Sequence, residues 1–117
     1  QIGAAGYSVT KAAAVSFAEW LKITYGNKGI GVSCLCPQAV RTAMTAQGAG
    51  VAGVDGMIEP EVAAADVLDA IEKERFLVTP HAEVLEYVSR KGNDRDRWIS
   101  GMQRLQERYE DWKPGDD

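Results

Sequence analysis

The most constraining feature of this chain is an uncharged run, IGVSCLC at residues 30–36, bounded by Gly29 and Pro37. The run is too short to span a membrane, and it carries no charge on either of its two alternating faces. A strand that is apolar on both faces is typical of a parallel sheet covered by helices on both sides. We therefore expect a buried strand at residues 30–36.

A helical pattern precedes this run, and a second helix and strand follow it. Apolar residues recur at helical spacing over residues 8–25, and YGNKG ends that pattern. EPEVAAADVLDAIEKE predicts a second helix with Pro60 at its first position. FLVT, at residues 76–79, predicts a second short strand. Helices that alternate with apolar strands predict an α/β fold with a parallel sheet.

The C-terminal part of the chain predicts an amphipathic helix. In DRDRWISGMQRLQERYEDW, residues 94–112, apolar residues recur at spacings of four and three on a charged background. We interpret this stripe as core or as a subunit contact. Acidic and basic residues alternate around it, which indicates a solvated face. The stripe consists of Trp98, Met102, Leu105, Tyr109 and Trp112.

Composition excludes several classes of function. The net charge of −4 and a pI near 5.0 give no electrostatic support for binding nucleic acid or an anionic membrane. No apolar run reaches about 18 residues, so we expect no membrane span. Cys34 and Cys36 would share one face of the strand, a poor arrangement for a disulfide, and His81 is the only histidine. We expect reduced, buried cysteines, no metal site and a cytoplasmic protein.

GYSVTK, at residues 6–11, places a tyrosine and a lysine on one helix face. Tyr7 and Lys11 are four residues apart, so their side chains are neighbours on the helix surface. A nearby ammonium favours the phenolate, which makes a tyrosine more useful in proton transfer. The pair alone is weak support for a site, because Tyr-x-x-x-Lys occurs by chance in many helices.

The surroundings of the pair resemble the short-chain dehydrogenase/reductase family. The stretch YSVTKAAAVSFAEWLKITYGNKGIGVSCLCPQAVRTAM runs from a Tyr-x-x-x-Lys helix through a Gly-Ile-x-Val strand into a Pro-x-x-Val-x-Thr loop. The resemblance covers roughly residues 3–44. It implies a Rossmann-like, doubly wound parallel sheet. It also implies an oxidoreductase that passes hydride between NAD or NADP and a small alcohol or carbonyl compound, assembled as a dimer or tetramer.

The resemblance also implies roles for individual residues. Tyr7 would be the general acid–base that exchanges a proton with the substrate oxygen. Lys11 would hold the hydroxyl groups of the nicotinamide ribose and favour the phenolate of Tyr7. Both residues would thus contact the cofactor as well as act in catalysis.

The loop after the first strand would line the nicotinamide. Pro37, Val40 and Thr42 match the family's loop, with backbone groups and the Thr42 hydroxyl near the carboxamide. Gln38 stands where the family usually has glycine, and its side chain would narrow or re-aim the pocket. The contact assigned to position 38 is therefore open.

Two further features belong to the substrate side. Residues 43–58 form a long, glycine-rich connection, which we expect to be a substrate lid. Met44 and Met57 flank it, and their thioethers would suit an apolar substrate or simply pack the lid against the body. His81 follows the second strand, at the edge where open α/β sheets place ligands. We favour the interpretation of His81 as a turn residue over its interpretation as a substrate contact.

The glycine-rich turn that receives a dinucleotide pyrophosphate is not found. GAGVAG, residues 48–53, follows a loop rather than a strand. The resemblance therefore implies that residues 1–117 are the C-terminal part of one domain, without the dinucleotide-binding half or the residue that selects NAD or NADP. Residues 1–117 would then divide into four parts. These are the catalytic helix, strand and nicotinamide loop at 1–42, the lid at 43–58, the last helix and strand at 59–80, and C-terminal helices at 81–117.

Such a piece has expected consequences. Without its upstream half it should be inactive, and the bare edge of its apolar strand should pair with another chain, swap elements or aggregate. Two alternatives stay open. One is a family-derived binding or oligomerisation module without catalysis, and the other is an unrelated α/β piece with a chance motif.

Overall fold

The computed structural model describes residues 4–111, except for the side chains of residues 51 and 52. Four helices and two short strands alternate along this part of the chain. Three short 3-10 turns, Gly26–Lys28, Ala43–Thr45 and Gly50–Gly53, lie in the connections. The main elements are α1 (Ala5–Tyr25), β1 (Cys34–Leu35), α2 (Pro60–Glu72), β2 (Leu77–Val78), α3 (Glu83–Asn93) and α4 (Arg95–Arg108).

The two strands pair in parallel, as the order of elements predicts. Cys34 lies opposite Leu77 and Leu35 opposite Val78. The Cys36 amide extends the ladder by donating to the Val78 carbonyl at 2.9 Å. Since parallel neighbours need a crossover, the chain returns through α2 between the strands. The carboxyl ends of both strands therefore lie at one edge.

The strand expected at residues 30–36 is shorter and less buried than predicted. Only Cys34–Leu35 has strand geometry, and Ile30 and Leu35 are 55% and 44% exposed. Two apolar faces are buried only when helices cover both. Over residues 4–111, α1 contributes no buried side chain, and Phe17 and Trp20 on it are 60% and 51% exposed. The predicted pairing of the strand edge with another chain remains a prediction.

α2 is tied to the strands by polar contacts. Pro60 lies in its first turn, as predicted, where a missing amide hydrogen costs nothing. The Arg75 guanidinium, just before β2, contacts Asp66 and Asp69 of α2 at 3.1 and 3.3 Å. The Ser33 hydroxyl donates to the Arg75 carbonyl at 2.8 Å, which links the approach to β1 with the same turn.

The C-terminal helix has the predicted amphipathic pattern. α4 begins at Asp94, whose carboxylate accepts the Arg97 amide at 3.0 Å and so satisfies one of the free donors of the first turn. The stripe is half-buried where the structure describes it, while the charged residues between its members are exposed. Trp112, the last predicted member, lies outside the described residues.

The buried core is small and lies between α2, β2 and the loop after β1. It contains mostly alanines, so little space separates α2 from β2, and one polar side chain, His81, is buried with them. Among the helices of residues 4–111, none combines the length and the apolar character needed to cross a bilayer. The buried apolar residues are Ala39, Ala49, Ala63, Ala70 and Val78.

Val78→Ala tests this core. Val78 is fully buried, so the substitution removes two methyl groups and leaves a cavity beside α2. We expect the free energy of unfolding to fall by about 1–3 kcal/mol in urea titrations. Val54→Ala is the control, because Val54 is 53% exposed and should change stability by less than about 0.5 kcal/mol. Equal effects of the two substitutions would contradict this placement of the core.

Candidate functional site

The carboxyl edge of the strand pair brings Gln38 and His81 together. Each residue lies three positions beyond a register pair, Leu35 opposite Val78. The backbone amide of Gln38 donates to Nδ1 of His81 at 3.0 Å, and His81 is only 4% exposed. The interpretation of His81 as a turn residue is therefore incomplete, because its ring is a buried link between two chain segments.

The second ring nitrogen of His81 reaches the long connection. Nε2 lies 3.1 Å from the carbonyl oxygen of Gly56. Since Nδ1 accepts the hydrogen bond from Gln38, Nε2 carries the proton and donates to Gly56, which assigns the neutral Nε2–H tautomer. Gly56 has φ +89°, a backbone conformation that residues other than glycine rarely adopt.

The last residues of the 43–58 connection are held by further bonds. Ile58 forms an isolated parallel bridge with Val40, in which its amide donates to Ala39 at 3.1 Å and its carbonyl accepts from Arg41 at 2.9 Å. The Arg41 guanidinium also contacts the Glu59 carboxylate at 2.7 Å. These contacts align the end of the connection with the loop that follows β1.

Tyr87 of α3 anchors the same segment through Asp55. Its hydroxyl donates to Oδ1 of Asp55 at 2.7 Å. This hydrogen bond to a carboxylate, followed by burial, raises the pKa of Tyr87 to about 12. Oδ2 of Asp55 is buried and has no hydrogen-bond partner within residues 4–111. Removal of the Tyr87 hydroxyl would leave both carboxylate oxygens unpaired.

The beginning of the connection is closed by Thr45. Its hydroxyl donates to the Val40 carbonyl at 2.7 Å and accepts the Thr42 amide at 3.0 Å. The amides of Gln38, Arg41 and Thr42 are thus engaged within the protein. Those of Ala39 and Val40 have no partner in the described part of the chain. Ala39 is buried, at 2% exposed, whereas Val40 is partly exposed, so the Val40 amide is the donor that the loop offers a ligand.

The structure brings Tyr7 and Lys11 together on α1. The Lys11 ammonium lies 5.4 Å from the centroid of the Tyr7 ring, and Tyr7 is 46% exposed. The Thr10 hydroxyl donates to the Tyr7 carbonyl at 3.0 Å, a contact within the same turn of the helix. Across residues 4–111, no hydrogen bond, ion pair or ring contact joins the pair to the loop at 37–42.

The two methionines of the predicted lid lie in different surroundings. Met44 is 83% exposed on the short turn Ala43–Thr45, whereas Met57 is partly buried between Gly56 and Ile58. Their expected contact with an apolar substrate remains a prediction.

The cysteines share one face, as predicted, but they are half-buried rather than fully buried. Their sulfurs are 3.9 Å apart, and both thiols are free. Burial, and then the neighbouring Cys34, raises the pKa of Cys36 to about 11, which keeps this thiol protonated at neutral pH. The residues that the structure describes contain no group of three His, Cys, Asp or Glu side chains placed to hold a metal ion.

An open groove of about 1010 Å³ lies between the start of α1 and the apolar stripe of α4. Ala4 and Ala5 line one side, and Trp98 and Met102 are among the residues of the other. No residue of the predicted site lines this groove. The N-terminal end of α1 and the C-terminal helix therefore line one groove.

Sequence reasoning missed the links made by His81 and Tyr87. One signal for His81 was available, since it follows the second strand by the same number of residues as Gln38 follows the first. The pairing of Tyr87 with Asp55 had no such signal, because 32 residues separate the two side chains.

Comparison with known proteins gives a distant relationship to an oxidoreductase. The chain is 31% identical over 103 residues to oxidoreductase UcpA of Escherichia coli K12, and equally to UcpA of E. coli O157:H7. The alignment covers 88% of this chain but 37% of each relative, so the chain spans about 37% of their length. No protein-family profile matches the chain, and no solved structure matches it. A relationship of this extent supports a general oxidoreductase class.

Tyr87→Phe tests the anchor of the connection. The raised pKa means that the folded state holds the phenol proton more tightly than the unfolded state. This contribution to stability is complete below the ordinary tyrosine pKa of about 10 and is lost as pH rises through about 12. Spectrophotometric titration should show one late phenolate transition that Tyr87→Phe removes, and the substitution should lower stability at neutral pH by about 1–3 kcal/mol.

Tyr25→Phe is the matched control, because Tyr25 is 36% exposed and contacts Trp20 and the Lys28 ammonium through its ring, which phenylalanine keeps. This substitution should leave the late transition in place. Loss of that transition in Tyr25→Phe instead would show that the Tyr87–Asp55 bond does not hold in solution.

Proposed function

We propose that the protein carrying this sequence is an NAD(P)-dependent oxidoreductase of the short-chain dehydrogenase/reductase type, which transfers hydride between nicotinamide and an alcohol or carbonyl compound. The distant relationship to an oxidoreductase supports the general class. The observation that carries the finer proposal is the pair on α1, where the Lys11 ammonium lies 5.4 Å from the Tyr7 ring on an exposed face.

Tyr7 is the proposed general acid–base. Its hydroxyl has no hydrogen-bond partner in the described residues, so it is available to a substrate oxygen. In carbonyl reduction it gives its proton to the oxygen as hydride arrives at carbon, and in alcohol oxidation it takes that proton back. Lys11 has no carboxylate partner within residues 4–111, so its ammonium is available to bind ribose hydroxyls.

The loop at 37–42 fits the amide group of a nicotinamide. NAD or NADP would supply or receive the hydride when bound. A carboxamide presents one acceptor and two hydrogen-bond donors, and the free amide of Val40, which is partly exposed, matches the acceptor. Its donors would meet the carbonyl of Pro37 and the exposed Thr42 hydroxyl, which also accepts from the Thr45 backbone in a capping box. Gln38 contributes through its side chain alone, because its amide is bonded to His81.

The proposed reaction needs α1 beside this loop. Proton transfer and hydride transfer occur at adjacent atoms of one substrate, so Tyr7 and Val40 must both reach the same ligand pair. We further propose that the dinucleotide-binding half comes from chain outside these residues, since the related oxidoreductases are longer. Without that half, residues 1–117 alone would turn over little substrate. We also propose that the active protein is a homo-oligomer and that Met44 and Met57 contact the substrate.

Tyr7→Phe tests the acid–base role. In the protein that contains the complete domain, we expect kcat to fall by about 10²–10⁴-fold, because the phenol proton is lost while the ring is kept. Oxidation of NADH and NADPH with a panel of aldehydes and ketones measures it. Tyr25→Phe, at the other end of the same helix, should retain full activity. Unchanged turnover in Tyr7→Phe would remove the proposed mechanism.

Cofactor binding tests whether the two parts of the site meet. Titration of labelled protein with NADH and with NADPH should shift the Val40 amide and the Tyr7 ring resonances at the same cofactor concentration. Lys11→Met should weaken binding by about tenfold if the ammonium holds the ribose. Lys22→Met is the control, a lysine of the same helix near its C-terminal end. A shift of the Val40 amide without any change at Tyr7 would place the pair outside the cofactor site.

A second function is favoured by the exposed face of α1. Phe17, Trp20 and Ile23 are 60%, 51% and 83% exposed, which is unusual for three large apolar residues within seven positions. A binding or oligomerisation module would use this face. Such a protein would assemble normally with Tyr7→Phe and show no hydride transfer in either form.

A further inference from the structure

We propose that His81 is a positioning residue, whose imidazole fastens the cofactor-facing loop at 37–42 to the end of the 43–58 connection. This inference rests on the proposed function for its catalytic consequence. The link itself rests on the geometry of His81 with Gln38 and Gly56.

The first support is the burial of a fully bonded ring. His81 is 4% exposed and is the buried polar side chain of the described residues. One nitrogen accepts from Gln38 at 3.0 Å, and the other lies 3.1 Å from the Gly56 carbonyl. A buried polar group is stabilising only when its partners are present, so loss of either bond leaves an unsatisfied nitrogen in the core.

The bond to Gln38 orients a peptide group of the cofactor loop. The peptide between Pro37 and Gln38 is planar and trans, so its carbonyl points opposite to the amide that His81 holds. His81 thereby sets the direction of the Pro37 carbonyl. That oxygen has no partner within residues 4–111, so it is available to a ligand.

The bond to Gly56 holds the other segment. The Gly56 carbonyl is bonded to His81, and two residues later Ile58 is bonded to Ala39 and Arg41. The same segment is anchored at Asp55 by Tyr87. His81 therefore joins the two ligand-facing segments through one side chain, so displacement of either should be felt by the other.

Two conservative substitutions separate the two bonds of His81. The amide oxygen of asparagine lies near the position of Nδ1, so His81→Asn keeps an acceptor for Gln38. The amide nitrogen of glutamine lies near the position of Nε2, so His81→Gln keeps a donor for Gly56. His81→Ala removes both bonds and also leaves a cavity that can prevent folding. The two conservative substitutions are therefore the more informative test.

The experiment combines ring spectroscopy with kinetics. In nitrogen-labelled protein we expect Nδ1 of His81 to be unprotonated and coupled across the hydrogen bond to the Gln38 amide, with the proton on Nε2. In the protein that contains the complete domain, His81→Asn should keep the KM for NAD(P)H within about threefold of wild type. His81→Gln should raise it about tenfold, while kcat changes less than KM.

The outcomes distinguish failure of the link from failure of the proposed function. A ring proton on Nδ1, no coupling to the Gln38 amide, or equal kinetics of the two conservative variants would overturn the positioning role. If the protein transfers no hydride, the proposed function fails, and the positioning role in that reaction fails with it. The physical link is then still decided by the coupling and by two amide resonances. The Gln38 amide should move in His81→Gln, and the Met57 amide, which shares a peptide group with the Gly56 carbonyl, should move in His81→Asn.

Discussion

The parallel pairing of β1 with β2 is the constraint on which the candidate site depends. Its register, Leu35 opposite Val78, brings the two loops that leave the strands to one edge. Three residues further along each chain segment, Gln38 meets His81. A shift of one residue in this register would turn the side chains of one strand to the other face and separate the two partners. Everything held by His81, including the end of the long connection at Gly56, follows from this pairing.

The site is built in two parts that the described structure does not join. The loop at 37–42 is organised by backbone bonds to Ile58, by Thr45 and by His81, which leaves the amides of Ala39 and Val40 free. The tyrosine–lysine pair is organised by helix geometry alone. Its helix exposes large apolar side chains, and its first residue, Ala5, lines a groove together with α4. Chemistry that uses both parts needs α1 to cover the sheet, which would also bury those apolar side chains.

Local patterns located the helices well and the burial poorly. Pro60 and the glycines after Tyr25 marked helix ends, and the alternating charges of the tail marked α4, because capping and amphipathic spacing act within a few residues. The strand at 30–36 was overestimated, since a strand extends only as far as its neighbour pairs with it. The exposure of Phe17 and Trp20 on α1 likewise depends on what packs against the helix, which the helical spacing of its apolar residues does not specify.

Local sequence pattern is enough to predict the order of helices and strands, the placement of Tyr7 and Lys11 on one helix face, and the placement of Cys34 and Cys36 on one face of the extended segment. These features follow from the periods of the helix and the strand, which need no information from elsewhere in the chain. Tertiary structure alone decided that His81 is buried, that both of its nitrogens are bonded, and that Tyr87 reaches Asp55. Those contacts join residues 25 to 43 positions apart, and their geometry exists only once the parallel pair has formed.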